Sequence, residues 1–288
     1  MLFLFYNSFS QGRLGYFAGT GVVFYNGDIN EKSSKIISPG KVFKPFFRVG
    51  INYRLTKRME ASLGFFYGNI GGADSLASEI DNRTRNLSFQ SVIEELSLHL
   101  EYHLFSVYRE RRFNPFIFAG GGIFHFNPVT EMDGIKYELQ PLGTEGQNIP
   151  DGGYATPYSL TQFCIPIGVG FYFQINQHWR VKIHYTNHFT FTDYLDDAST
   201  VYPDSSSLAQ TPYGQLAVSL SNRRLKGKFP LDKTERANRS LNDSYSDIGI
   251  TIIYNPGELT GGNVTGAGGF KHRNKNKLNK KNLCPAYN

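Results

Sequence analysis

Between Gln162 and Thr192 the chain alternates almost without interruption, and that alternation constrains the fold more than any other feature. From Phe163 the odd positions are Phe163, Ile165, Ile167, Val169, Phe171, Phe173 and Ile175, against Gln162, Cys164, Pro166, Gly168, Gly170, Tyr172 and Gln174. After Asn176, Gln177 and His178 the pattern resumes as Trp179, Val181, Ile183 and Tyr185 against Arg180, Lys182, His184 and Thr186. Successive side chains of a strand point to opposite faces, so the segment is a hairpin with one apolar and one polar surface. Each arm has about the ten residues that a tilted strand needs to cross a bilayer.

Composition decides which environments are open to such a hairpin. The 288 residues, enough for one large domain or two small ones, include 24 Phe, 18 Tyr and 30 Gly, which suits strands with aromatic girdles and many turns. No run of about 18 apolar residues exists, which excludes a transmembrane helix. A mean hydropathy of −0.35 leaves a membrane barrel open, because half of each strand faces its lumen. The opening MLFLFYNSFSQG reads as the end of a secretory signal whose basic start is missing; the competing reading is an ordinary first strand. Cys164 lies in a strand and Cys284 in the tail, so neither a structural disulfide nor a cysteine-type metal cluster is expected. The formal charge of +6 is largely local: KHRNKNKLNKK, 271–281, is basic throughout, and the body is close to neutral.

Six further stretches complete the reading as an all-β, eight-stranded, antiparallel, up-and-down transmembrane barrel. Phe47, Val49, Ile51, Tyr53 and Leu55 oppose Arg48, Gly50, Asn52 and Arg54 in the second strand, and Ala61, Leu63, Phe65 and Tyr67 oppose Glu60, Ser62 and Gly64 in the third. The fourth is the most regular, with Leu96, Leu98, Leu100, Tyr102 and Leu104 against Glu95, Ser97, His99, Glu101 and His103. The fifth, about 114–126, sets Phe116, Phe118, Phe124 and Phe126 on one side and small or mixed residues (Ala119, Gly121, His125) on the other. The first strand, about 15–25, has mixed periodicity, and the last places Ile248, Ile250, Ile252 and Tyr254 on one face. Short turns (56–58, 106–112, 176–178) alternate with long connections (about 26–45, 69–92, 127–161 and 190–243). Short periplasmic turns, long extracellular loops and an even strand number describe an outer-membrane barrel, which also leaves no open sheet edge in lipid.

The competing fold is a soluble barrel of lipocalin type, with the apolar face turned inward. Against it, Tyr53, Tyr67, Tyr102, Trp179, Phe126 and Phe189 cluster toward strand ends as interfacial aromatics do, and the polar face carries many glycines. With the apolar face outward the lumen receives Arg48, Arg54, Glu60, Glu95, His99, Glu101, His103, Arg180, Lys182 and His184. Eight strands leave room for side chains alone, so these residues are expected to form a packed, paired plug and not a pore. His99, Glu101 and His103 stand about 7 Å apart along the strand, too far for neighbours to share an ion without a further strand. No catalytic, cofactor-binding or metal residues are assigned, and neither a nucleic acid nor a small-molecule substrate is expected. Asp193, Tyr194, Leu195, Asp196 and Asp197 lack the spacing and glycine of a calcium loop and are expected to be a solvated loop. The 127–161 segment suits a docking surface or a small extra hairpin over the barrel mouth.

Five segments in order add a resemblance: RNLSFQS (85–91), FNPFIFAGGGIFHFNP (113–128), YELQPLGTEGQ (137–147), SLTQFCIPIGVGFYFQINQHW (159–179) and FTDYLDDAST (191–200). Together they resemble the PorG-like outer-membrane barrels of Bacteroidetes, components of the type IX (Por) secretion apparatus. The resemblance covers about 14–254 and is strongest over 85–200. It implies an outer-membrane anchor of a Gram-negative bacterium, in contact with lipid and with a periplasmic ring of PorK/PorN-like proteins, and it supplies no catalytic residue. The resulting division is a signal remnant (1–11), the barrel (12–255) and a disordered basic tail (256–288). For the tail, attachment to an acidic periplasmic partner and a merely solubilising end stand equally open. A surface adhesin or receptor acting through the long loops is the alternative function, and a lipid- or peptide-modifying barrel enzyme a lesser one.

Overall fold

The computed structural model describes residues 13–29, 42–77, 79–107, 112–225, 227–238 and 240–257. The expected signal remnant and nearly all of the basic tail, with Cys284, lie outside the described residues. Strands β1 (Leu14–Asn26), β2 (Lys44–Arg54), β3 (Met59–Ala73), β4 (Ser88–His103), β5 (Phe113–Met132), β7 (Thr161–Gln174), β8 (Trp179–Thr190) and β9 (Ser244–Tyr254) pair in the order β4-β3-β2-β1-β9-β8-β7-β5. A β4–β5 ladder joins the two ends, so this is a closed eight-stranded antiparallel barrel.

The turns follow from local side-chain chemistry. Between β7 and β8, Oδ1 of Asn176 accepts from the backbone N–H of His178 and of Trp179, each at 2.9 Å. Between β2 and β3, Oγ1 of Thr56 accepts from Arg58 and Met59 at 3.2 and 3.1 Å. Such side chains mimic a turn's own hydrogen bond and reverse the chain within a few residues.

Alternation sorts the two faces. On β4, Leu96, Leu98 and Leu100 are 49, 57 and 46% exposed, whereas Glu95, His99 and Glu101 are 0, 5 and 1% exposed. The same outward row continues through Val49, Ile51, Leu63, Phe65, Ile167, Val169, Ile183, Ile250 and Ile252. An unbroken apolar belt of that extent is incompatible with water and fits hydrocarbon, which rules out the inward-facing lipocalin arrangement. Exposed aromatics frame the belt: Tyr16, Tyr102, Phe113, Trp179 and Tyr254 at the short-turn end, and Phe47, Tyr67, Phe163 and Phe189 at the other. The rings of Trp179 and Tyr254 pack at 4.8 Å.

The structure corrects the sequence reading in three places. First, Phe116, Phe118, Phe124 and Phe126 point into the lumen and are at most 3% exposed, so Phe126 is no part of the interfacial belt. Both faces of β5 are apolar, and the glycines of β7 decide the choice. A Cβ on Gly168 would lie 2.4 Å from the Phe118 ring, and one on Gly170 would lie 2.7 Å from the Phe116 ring. Second, β3, β4 and β5 outlast their alternation. The ladder continues to Ala73 opposite Ser88 through the glycine-rich end of β3, where small residues hide the period. β5 runs on to Met132, then turns through Asp133 and Gly134 (φ 53 and 78) into β6 (Ile135–Glu138). Asp-Gly with both φ positive is the turn that matches strand twist, so the expected extra hairpin forms here, as an extension of β5 beyond the barrel wall. Third, the acidic segment 193–197 is not solvated: Leu195, Asp196 and Asp197 are 0, 1 and 0% exposed.

That burial comes from a cap on the long-loop side. Residues 190–243 form the helices Ser205–Ala209 and Gly214–Ser221 and a bridge from Val201 to Glu235. Asp204 caps the first helix, accepting from the Ser207 backbone N–H at 2.8 Å. Leu195, Leu208, Ala217 and Leu220 of this segment join Ile29, Leu87, Leu139 and Leu142 from the other loops in one buried cluster. The cluster continues into the barrel mouth through Tyr25, Phe89, Phe124 and Phe126.

Candidate functional site

All ten inward polar residues named from the sequence are at most 6% exposed. Near the short turns, Glu60 accepts from Nε of Arg54 at 3.2 Å and from both terminal nitrogens of Arg180 at 3.0 and 3.1 Å. Glu101, its direct partner on β4, accepts from Nζ of Lys182 at 2.7 Å, the Tyr172 hydroxyl at 2.6 Å and the Ser62 hydroxyl at 3.1 Å. Like charges directly opposite repel, and the three interleaved cations convert that repulsion into a paired set.

Toward the mouth a second set forms around Asp247. Its carboxylate meets Nη2 of Arg48 at 3.4 Å, Nε2 of His184 at 3.1 Å and Nε2 of His188 at 2.9 Å. Glu95 lies 2.7 Å from Nδ1 of His188 and accepts the Tyr245 hydroxyl, while the Tyr245 ring stacks on His188 at 4.3 Å. Eight of the ten residues thus belong to two ion networks.

His99 and His103 do not share in these networks by hydrogen bonds. His99 stacks on Phe118 at 5.2 Å, and His103 packs against Tyr172 at 4.9 Å and Phe116 at 5.7 Å, with Nε2 3.8 Å from Glu60. The aromatic rings and ion pairs together fill the interior that eight strands enclose. The lumen set named from the sequence leaves out Asp247, His188, Tyr172 and Tyr245, which organise the networks. Asp247 and Tyr245 were detectable as the inward partners of Ile248, Ile250 and Ile252 on β9.

Above the lumen, two segments distant in sequence lock together. In one, Thr144 donates its hydroxyl to Asp197 at 2.5 Å, and Glu145 accepts from the backbone N–H of Ser199 at 2.9 Å and of Thr200 at 3.0 Å. Thr144 and Glu145 belong to LQPLGTEGQ, and Asp197, Ser199 and Thr200 to FTDYLDDAST, two of the segments that carry the resemblance. Arg236 closes the joint, donating to Glu145 at 2.9 Å and to the Asp197 carbonyl at 2.5 Å. Arg85 holds Asp74 through two bonds of 2.8 Å and reaches the Arg236 carbonyl at 2.7 Å.

The cap is rich in buried acid. Burial pushes Asp197 up to about 6 against the opposing charge of Arg236 and the hydrogen bonds from Thr144 and Tyr158. Burial likewise raises Asp196 to about 7 and Asp193 to about 8. Asp243 is also raised, by burial and by the neighbouring charge of Asp196. The Tyr25 hydroxyl lies 2.7 Å from Asp196 and 2.6 Å from Asp243. One phenolic hydrogen cannot serve two carboxylates, so the trio retains a further proton on a carboxyl group. An open basin of about 770 Å³ lies beside this joint, lined by Asp28, Asp81, Arg85, Arg224, Glu235 and Arg236 among others.

Several solved structures align with this chain at very low identity. Neisserial surface protein A aligns with a TM-score of 0.40 and 7% identity, over 84% of this chain and 96% of that one. Ail, the attachment invasion locus protein of Yersinia pestis, aligns at 0.39 and 8%, over 85 and 98%. A major outer membrane protein from Thermus thermophilus aligns at 0.38 and 11%, over 84 and 98%. No functional residue transfers at such distances. No curated protein matches the sequence. A family profile described as "Domain of unknown function (DUF6089)" matches residues 1–219, and the chain belongs to that family.

Proposed function

We propose that this protein is a non-enzymatic barrel of the outer membrane of a Gram-negative bacterium, serving as a membrane anchor for a larger assembly. The observation that carries this reading is the filled lumen: Glu60, Glu101, Glu95 and Asp247, each at most 1% exposed, are clamped by cations and aromatic rings along the interior. A plugged and capped barrel offers no route for a solute, and it keeps its imidazoles and carboxylates away from any substrate.

The assembly is the type IX secretion apparatus, and the partner is its periplasmic PorK/PorN-like ring. The support is the ordered set of sequence segments that resemble PorG-like barrels. A second feature agrees with such docking. The exposed charges at the short-turn end, among the described residues, are Arg13, Lys57, Arg58 and Arg112, all basic. Such a rim attracts an acidic face. Cross-linking in intact cells followed by purification of the barrel should recover ring components, and charge reversal at Lys57 and Arg58 should reduce the yield. Recovery of no ring protein overturns the reading.

The basin in the cap favours one alternative, a surface receptor or adhesin. Deleting part of the cap would then abolish binding of an external partner and leave secretion intact.

A further inference from the structure

The sequence showed no metal-type cluster around Cys164, yet three strands bring one together. Cys164 on β7, His188 on β8 and Glu95 on β4 place Sγ, a ring nitrogen and a carboxylate oxygen within 4.8 Å of one another. All three residues are at most 2% exposed. We infer that Glu95, Cys164 and His188 form a binding site for a divalent transition-metal ion of the Zn²⁺ type.

Three observations carry this assignment. The first is unused donor capacity. Oε1 of Glu95 has no hydrogen-bond partner, and Nδ1 of His188 lies 2.7 Å from Oε2 of Glu95 but out of line for a hydrogen bond. An acceptor sealed this deeply without a partner is costly, and a cation shared between Glu95 and His188 satisfies it.

The second is the support behind the histidine. Asp247 engages Nε2 of His188 at 2.9 Å, which fixes the ring with Nδ1 turned toward Glu95 and Cys164. Metal-binding histidines are oriented in this way by a carboxylate on the opposite nitrogen. The Tyr245 ring, stacked at 4.3 Å, holds the imidazole plane.

The third is charge. A thiolate and the carboxylates of Glu95 and Asp247 carry three negative charges, which a divalent ion and the neighbouring Arg48 guanidinium balance. Thiolate, imidazole and carboxylate together suit zinc-like ions better than magnesium or calcium. Ligand bonds of about 2.0–2.3 Å require the Glu95–His188 contact to open by a few tenths of an ångström, a side-chain adjustment. Water can complete a four-coordinate site.

The other carboxylate–histidine group in the lumen, Glu60, Glu101 and His103, makes an instructive contrast. Its carboxylates are already neutralised by Arg54, Arg180 and Lys182, whose charges would repel a cation. It serves as the control.

The test uses the tag-free full-length chain carrying Cys284→Ser, so that any thiolate signal arises from Cys164. The protein is refolded into detergent micelles with Co²⁺, and its folded state is verified by the gel mobility of unheated against heated samples. After desalting, about one equivalent of cobalt should remain, with a thiolate-to-cobalt charge-transfer band. Cys164→Ser should abolish the band, and Asp247→Asn should keep it while weakening affinity by about 10–100-fold. Glu101→Gln should change neither. If Cys164→Ser does not fold, loss of bound cobalt in His188→Gln serves in its place. Folded protein that retains no cobalt, cobalt bound without the band, or a band that survives Cys164→Ser would each overturn the assignment.

Discussion

Replacing Asp196 by Asn should remove a measurable part of the pH dependence of the extracellular cap. Asp196 is 1% exposed; its Oδ2 accepts the Tyr25 hydroxyl at 2.7 Å and the Ile29 backbone N–H at 3.1 Å. Its Oδ1 accepts from Ala198 at 2.9 Å, and Asp243 competes for the same phenolic hydrogen. Burial lifts the group from 3.8 to about 7, so the folded cap holds a proton that the unfolded chain releases. The stabilisation is therefore complete below about pH 4 and is lost as the pH rises through about 7. At about 1.4 kcal/mol per pH unit the swing amounts to about 4 kcal/mol, an upper figure because the proton is shared with Asp243. An asparagine amide supplies that hydrogen permanently, donating to the Tyr25 oxygen while its carbonyl accepts from Ala198; the bond from the Ile29 N–H is lost, a cost that does not vary with pH. Hydrogen exchange of peptides spanning 193–198, compared at about pH 5 and about pH 8 after correction for the intrinsic rate, reads the local opening free energy. The native cap should lose protection at the higher pH, and Asp196→Asn should lose clearly less, the remainder belonging to Asp193, Asp197 and Asp243. Equal protection at both pH values in the native protein, or an undiminished pH dependence in the variant, refutes the argument.

Three further outcomes follow from the barrel wall and lumen. Leu98→Arg, at a side chain 57% exposed to the hydrocarbon, should cost about 2–4 kcal/mol in urea unfolding from lipid vesicles. Arg180→Ala strips Glu60 of two hydrogen bonds and leaves a buried charge under-compensated, so it should destabilise by about 3–5 kcal/mol in the same assay. Gly168→Val should collapse the refolding yield, since its Cβ would sit 2.3 Å from the Tyr185 carbonyl and 2.4 Å from Phe118. Gly121→Val, outward and with nothing within 4 Å, should refold normally, as measured by the same gel mobility shift.

Much of the barrel was legible because a strand's side chains alternate with a period of two, and lipid rewards the outward set uniformly. On β4 every second residue from Leu96 to Tyr102 is apolar and exposed, and the intervening Glu95, Ser97, His99 and Glu101 are inside. That rule fails where both faces are apolar. The orientation of Phe116 and Phe118 depended on Gly168 and Gly170 across the β5–β7 ladder, and glycine spacing within β7 does not name its partner. The rule is also silent on loops. Asp196 and Asp197 look like solvated acids beside their neighbours, and they are buried because Tyr25 arrives from β1, Thr144 and Tyr158 from the connection before β7, and Arg236 from the far end of their own segment.

The sequence by itself determined that this chain crosses a membrane as a closed sheet, which residues of the clearly alternating strands meet lipid, and ten of the polar residues that enter the lumen. Local periodicity and turn chemistry carry that information within each hairpin. Only the tertiary structure decided what those inward residues do to one another. Ring closure sets Glu60 between Arg54 and Arg180, Asp247 between Arg48 and two histidines, and Cys164 beside His188 and Glu95. These sets join residues up to 199 positions apart, as Arg48 and Asp247 are. Their meeting is fixed by barrel curvature and strand stagger, which no single segment encodes.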